Sequence, residues 1–365
     1  MPGRGPPGDA EGACIGSRAV NPASVDVIVP CYNYGRYLRQ CTQSVLRETR
    51  FPIRVLIIDD ASTDGSAEQA WQIAAEDSRV EVIAHRSNQG HIATYNEGIA
   101  WVRAAYMLLL SADDMVAPGA LARAVTLMDA NPNVAFVYGR SILFSDEDDI
   151  WEMHGSLDGS EAAVHRGAEF IREFCSRPNN PVETATAVVR TTVQKRVGGY
   201  HPQLPHSGDL EMWLRCAAQG DVGVIPAVQA FTRIHAGNMR HGYKAERTFA
   251  DYEQRRRALE MFFEGQSGLL DDGEDLERLA RRSLAEEVLW TAARGFEEEN
   301  DPAATRLIDL ARDIDGTITR TPLWWKTAAK RAVGWTVWRA VGPVLAAVRG
   351  SAQAIRLGQA SDRRP

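Results

Sequence analysis

Asp113 and Asp114 stand side by side just after Tyr106-Met-Leu-Leu-Leu110, a run of unbroken bulk, and ahead of Pro118 and Gly119. An unpaired buried carboxylate is costly, so this pair belongs in a loop where a cation or hydroxyl groups can meet it. The pattern recurs upstream: Asp59 and Asp60 follow Arg54-Val-Leu-Ile-Ile58, and Tyr32 and Asn33 follow Val25 to Pro30. Taken singly, such acids could simply end a strand in solvent. Ligands of open α/β sheets, however, bind outside the carboxyl ends of the strands, which is where all three groups fall. No G-x-G-x-x-G follows the first strand and no G-x-x-x-x-G-K-[ST] occurs, so neither a dinucleotide fold nor a P-loop is supported. Carboxylates in place of glycine-cradled helix ends imply that a nucleotide's phosphates are met through a metal.

Short apolar runs at 25–30, 54–58, 80–84, 106–110 and 134–138 read as strands, the fourth of them buried on both faces. Between them, helical spacing predicts helices over 36–47, 66–76, 92–103 and 121–130, with Ser62, Thr63 or Asp64 as cap of the second. This alternation predicts βαβ units: an α/β, Rossmann-like, mainly parallel sheet flanked by helices. After Asp146 the alternation stops. A helix over 166–175, a strand over 184–190, the loop Val197-Gly-Gly-Tyr200 and a helix capped by Ser207 or Asp209 follow, then a polar strand pair ending near Asn238. From about Lys244 the chain reads as helices, the last over 322–349, with Trp324, Trp325, Trp335 and Trp338 among Lys and Arg. Residues 1–23, rich in Gly, Pro and Ala, read as a disordered tail.

Composition narrows the function classes. A net charge of −7 argues against nucleic acid as a partner. Cys14, Cys31, Cys41, Cys175 and Cys216 are scattered with no C-x-x-C, which fits a reduced compartment without disulfide framework or zinc site. Neither a secretory signal nor an apolar run of membrane-spanning length is seen, so a cytoplasmic location is expected.

The chain resembles the family 2 glycosyltransferases, inverting nucleotide-sugar enzymes of GT-A fold, over Val25 to Asn238. The resemblance rests on Val27-Ile-Val-Pro-Cys-Tyr-Asn33, Ile57-Ile-Asp-Asp-Ala-Ser-Thr-Asp-Gly-Ser66, Asn88-Gln-Gly90 with Asn96-Glu-Gly98, Leu110-Ser-Ala-Asp-Asp114, Val197-Gly-Gly-Tyr200, Gly208-Asp-Leu-Glu-Met-Trp-Leu-Arg215 and Arg233-Ile-His235. It implies that Pro30 and Tyr32 line the base pocket and that Asp60, with Asp59 beside it, accepts the uracil N3–H. Gly90, Asn96 and Asp113 would complete the nucleotide site. Asp113 or Asp114 would hold Mg²⁺ or Mn²⁺ on the diphosphate, with His235 as a further ligand or phosphate contact. Asp209 is the expected general base, which must come within about 2.6–3.2 Å of the proton it takes; Glu211, deeper in the helix, is the weaker candidate. Trp213 is expected in the core, with sugar stacking as the rival role, and His201 and His206 in the acceptor loop. Gly198 and Gly199 suit a tight loop near the donor sugar.

Two departures stand out. Ser111 replaces the first Asp of the usual Asp-x-Asp, and Thr94-Tyr95-Asn96 replaces the usual Ala-Arg-Asn, removing a basic residue that Arg86 is a candidate to replace. The expected function is transfer of a sugar from a nucleotide donor, UDP-sugar favoured with dTDP- or GDP-sugar as alternatives. A hydroxyl acceptor on a surface glycan, lipid-linked glycan or natural product would receive it; the rival is a non-catalytic nucleotide-sugar-binding scaffold. The expected organisation is a tail over 1–23, a catalytic domain over 24–240, a helical extension over 241–320 and a Trp/basic segment over 321–365. That last segment is expected to pack on protein or to lie peripherally on the inner membrane face.

Overall fold

Side chains along the buried strands alternate between two cores. Val27, Val29, Val55, Ile57, Leu108 and Leu110 point to one, while Ile28, Leu56, Ile58, Met107 and Leu109 point to the other. This period of two is what a sheet covered on both faces demands. In the computed structural model the described residues are 24–145, 161–238, 246–298, 302–334 and 337. The expected tail at 1–23 and most of the segment beyond 334 lie outside them.

The first half is a run of βαβ units. Strands β1 (Val25–Cys31), β2 (Ile53–Asp59), β3 (Val80–Ala84) and β4 (Tyr106–Leu109) lie in the order β3-β2-β1-β4, all parallel. Helices α1 (Gly35–Leu46), α2 (Ser66–Glu76) and α3 (His91–Trp101) connect them. None of Ser62, Thr63 or Asp64 sits at the cap of α2. Gly65 does, at φ 86°, in the left-handed region that favours glycine. Asp64 instead accepts from Ser66 N at 3.0 Å and from Gly35 N at 3.2 Å, joining the starts of α2 and α1.

Beyond β4 the sheet becomes mixed. Its nine strands continue through β8 (Val188–Arg190), β6 (Val134–Phe144), β9 (Asp221–Arg233) and β5 (Met115–Val116), with β7 (Ala163–His165) beside β9. Strand β8 is antiparallel to both β4 and β6, and β5 is antiparallel to β9. The expected polar strand pair is one strand of 13 residues, and the expected strand over 184–190 begins as a 3-10 turn, Thr184–Thr186. Strand β9 carries Pro226 at a register shift opposite Gly139 and Arg140, the kind of irregularity at which a strand proline is tolerated. Its register with β5 pairs Met115 with Phe231, which delivers Arg233 and His235 to the end of β4.

Helices α4 (Ala120–Ala130), α5 (Gly167–Ser176), α6 (Thr191–Val197) and α7 (Gly208–Ala217) complete the sheet domain. Helices α8 (Glu246–Gln266), α9 (Gly273–Glu298), α10 (Pro302–Ile314) and α11 (Pro322–Val333) share the core of the α3–α7 face through Phe262, Leu284, Leu289 and Ile308. Helix α11 starts at Pro322 as expected but stops at Val333, where Gly334 takes φ 79° as its cap. Trp324 packs on the core and Lys330 is buried, whereas Trp325 is 67% exposed. Over its described residues this helix therefore presents its face to protein. No helix among the described residues is long and apolar enough to cross a membrane.

Candidate active site

The β1 and β4 strand ends and the start of α7 share a cavity, whereas Asp59 and Asp60 at the β2 end, Tyr32 and Asp113 are not among its lining residues. At the first end, Pro30 is followed by Tyr32, which is half exposed, and by Asn33 at φ 59°. That left-handed turn, which Asn tolerates, lets Asn33 N donate to Ser62 Oγ at 2.9 Å while its Oδ1 accepts from Thr63 N at 2.8 Å. The turns after β1 and β2 are thus one unit.

At the β2 end, Asp60 is buried and well supplied with donors. Gln89 N and Gly90 N donate to it at 2.8 and 2.9 Å, and His85 Nδ1 lies 2.7 Å from Oδ1. Burial opposes its charge, but these contacts outweigh it and hold the carboxyl below its ordinary value. His85 Nε2 lies 2.7 Å from Glu97 Oε2, and although burial opposes protonation, the two carboxylates raise the imidazole's pKa. Asp60 thereby shapes the β3–α3 connection and retains limited acceptor capacity for a base edge. Asp59 accepts from Ser62 N at 3.1 Å; its Oδ1 is buried with no hydrogen-bond partner among the described residues. Gly90, at φ 85°, begins α3 and offers its N–H to Asp60.

Asn96 faces elsewhere than the nucleotide role implied for it. Its amide donates to Tyr200 O at 2.9 Å and accepts from Tyr200 N at 2.7 Å, so the side chain latches the Val197–Tyr200 loop. A Cβ on Gly199 would lie 2.3 Å from Asn96 Oδ1, which is why that position is glycine. Glu211 is committed too. It is 1% exposed and lies 2.6 Å from Arg215 Nε, and Arg215 bonds the carbonyls of Val197 and Gly199. Glu211 is therefore structural, and His201 sits 3.7 Å from it. Trp213 is 3% exposed and stacks on Phe136 at 5.4 Å, a core residue with no sugar face.

At the β4 end the two acids divide. Asp113 Oδ2 lies 3.1 Å from His235 Nε2 and 3.1 Å from Asn238 Nδ2, while its buried Oδ1 has no hydrogen-bond partner among the described residues. Asp114 Oδ1 accepts from Arg233 N at 3.0 Å, and Arg233 Nε donates to Asp113 O at 3.2 Å. Arg233 stacks over Tyr37 and Phe144, which pins the β9 end to α1. Among the described residues no three His, Cys, Asp or Glu side chains form a cluster able to hold a metal alone. Asp113 with His235, an amide beside them and one bare buried oxygen still fits a hard cation completed by ligand phosphates and water.

Asp114, Ser111 and Pro30 line a cavity of 210 Å³ whose other side is Tyr95, Tyr200 and Asp209. Asp209 lies in the first turn of α7, accepting from Leu210 N at 2.8 Å and from Asn180 Nδ2 at 3.0 Å. Ser207 occupies the cap position without a side-chain bond. Desolvation raises the Asp209 carboxyl to about 6, with Glu183 adding to the rise against the hydrogen bonds from Leu210, its own backbone N–H and Asn180. Tyr95 stands where relatives of this pattern carry a basic residue. It meets His91 and Tyr200 edge-on at 5.5 and 5.4 Å, and burial together with Asp209 and Asp113 keeps its phenol protonated. Arg86 is exposed and lies outside the cavity lining. His206 lines the cavity. A roomier hollow of 340 Å³ between α1 and the β5–α4 connection has an apolar floor of Met115, Val116 and Phe231 and contains none of these acids.

Sequence reasoning missed His85, Tyr95 as a cavity wall, Asn180 and Asn238. Tyr95 carried a signal in its departure from Ala-Arg-Asn; Asn180, in a Pro-Asn-Asn-Pro turn, carried none.

Comparison with known proteins identifies the family. The sequence profile described as Glycosyl transferase family 2 matches residues 26–193. An uncharacterized glycosyltransferase of Haemophilus influenzae is 33% identical over 220 residues, 60% of this chain and 82% of that protein. Glycosyltransferase GlyG of Streptococcus pneumoniae is 37% identical over 93 residues, 25% of this chain and 31% of its own length. In fold, S. aureus TarS 1–349 superposes with a TM-score of 0.60 at 16% identity, covering 87% of this chain and 90% of that one. The chain belongs to glycosyl transferase family 2.

Proposed function

We propose that this chain is an inverting glycosyltransferase that moves a sugar from a nucleoside-diphosphate sugar to a hydroxyl acceptor, with Asp209 as general base. The observation that carries the reading is the shared cavity, with Asp209 and Asp114 among its lining residues, beside the Asp113–His235 pair. Pro30 and Tyr32 border the nucleotide at the β1 end, with Tyr32 offering an open ring face for the base. Asp60, with Asp59, is the reader of an N3–H that uracil and thymine share; a UDP-sugar is favoured over dTDP- or GDP-sugars because TarS, a fold neighbour, has been solved in complex with UDP-GlcNAc. Asp113, His235 and Asn238 would hold Mg²⁺ or Mn²⁺, which when bound offsets charge developing on the leaving diphosphate.

Asp209 takes the proton of the acceptor hydroxyl while that oxygen forms a bond to the anomeric carbon. The anomeric carbon–phosphate oxygen bond breaks on the opposite face, and the nucleoside diphosphate leaves with the electron pair. A single displacement inverts the anomeric centre. A carboxyl held at about 6 is matched to this work, because it is ionised at neutral pH yet basic enough to draw the proton. Tyr95, protonated, contributes a donor to the cavity where a guanidinium would add charge.

The test is a panel of nucleotide sugars incubated with and without Mn²⁺, reading nucleoside diphosphate release. Metal-stimulated release from a UDP-sugar supports the reading. Tight binding with no turnover on any donor would transfer the case to the scaffold alternative, toward which Ser111 in place of Asp points.

A further inference from the structure

The loop that carries Asn180 is held from outside the family match. Helices α8 and α9 lie beyond residue 193, where that match ends. Arg255 of α8 is 8% exposed and forms a forked pair with Glu287 of α9 at 2.9 and 2.7 Å. The same guanidinium donates to the carbonyl of Pro178, two residues before Asn180. Asn180 Oδ1 accepts from Val182 N at 3.1 Å, which orients its amide so that Nδ2 points at Asp209. A second contact grips the other flank: Gln254 Oε1 accepts from His206 N and its Nε2 donates to Gln203 O, both at 3.4 Å, just before α7.

We infer that the helical region is part of the catalytic apparatus, with Asn180 a positioning residue for the base and the Arg255–Glu287 pair holding Asn180 in place through the Pro178 carbonyl. The inference rests on Asp209 being the base. A buried arginine bound to both a carboxylate and a loop carbonyl is a rigid clamp, since its planar fork fixes both partners at once. An amide donating to a carboxylate stabilises its charged form, so the clamp tunes as well as aims the base. The other titratable groups facing Asp209 are Glu183 from the same loop, His91 and Tyr95 from α3, Asp114 after β4, and Tyr200 and His206 before α7. None of these is altered by the substitutions below.

The test uses the full chain and the pH profile of kcat/KM. Asn180→Ala removes a donor to the carboxylate, so the acid limb should move to higher pH by about one unit. Turnover would then fall several-fold near pH 6 and recover by about pH 8, with donor KM unchanged. Arg255→Gln should shift the limb the same way by less, and the double variant should shift it no further than Asn180→Ala alone, since both act through one contact. Should Arg255→Gln fail to fold, Glu287→Gln takes its place and carries the same expectation. Profiles that superimpose on the wild type, losses equal at every pH, or additive shifts would each overturn the clamp. Asp209→Asn run in parallel separates the two readings: an active Asp209→Asn refutes the base itself, whereas an inactive one beside an unshifted Asn180→Ala refutes the clamp alone.

Discussion

Asp60 and Asp209 are the same residue type, each with desolvation as the largest influence on its charge, yet their carboxyls move in opposite directions. At the β2 end, two backbone N–H groups and an imidazole drawn toward its charged form converge on Asp60. At the start of α7, Asp209 is met by two backbone N–H groups, its own and that of Leu210, and by the neutral amide of Asn180, with the carboxylate of Glu183 nearby. The lesson is that burial sets the stakes and the charge of the neighbours decides the sign. A carboxylate beside an imidazole drawn toward its charge builds structure; one beside a second carboxylate stays basic enough to work.

The largest effect that would break this contrast is Asp209→Asn, which keeps size and loses basicity. Transfer should fall by about 10²–10⁴-fold with donor affinity unchanged. Asp113→Ala comes next: removing the carboxylate beside His235 should abolish the Mn²⁺ stimulation of turnover, a loss of at least about tenfold, read as activity against metal concentration. Asp60→Asn, by contrast, should weaken stability and nucleotide affinity while leaving the acid limb of the pH profile in place. It turns an amide NH₂ toward a site ringed by donors, which costs about 2 kcal/mol in denaturant unfolding. Smallest is the pH signature of His85. Its pKa is raised in the folded protein, so its contribution is complete below the ordinary histidine value and fades as pH rises through the raised one. His85→Gln should flatten that decline in a melting-temperature series.

Much of the first half was legible because each of its strands announces itself as an apolar run and each end carries polar residues. Asp113 and His235 were paired on a resemblance, and their 3.1 Å separation follows from β9 running antiparallel to β5. Strand β5 was not legible, being two residues long and paired only with a distant segment. Asn96 misled because its side chain answers to the backbone of Tyr200, a contact 104 positions away that no local pattern encodes. Asn180 was hidden for the same reason. The break in α11 was in plain sight, since Gly334 is a residue suited to ending a helix; the rest of the expected run to 349 lies almost wholly outside the described residues.

The most direct test of the contrast is the pH dependence of kcat/KM for the unmodified chain with its best nucleotide-sugar donor. An acid limb with an apparent pKa of about 6, absent from what remains of the activity in Asp209→Asn, is the predicted result. A limb near 4, the ordinary range of an aspartate, would contradict the claim that burial and Glu183 keep this carboxylate basic for catalysis.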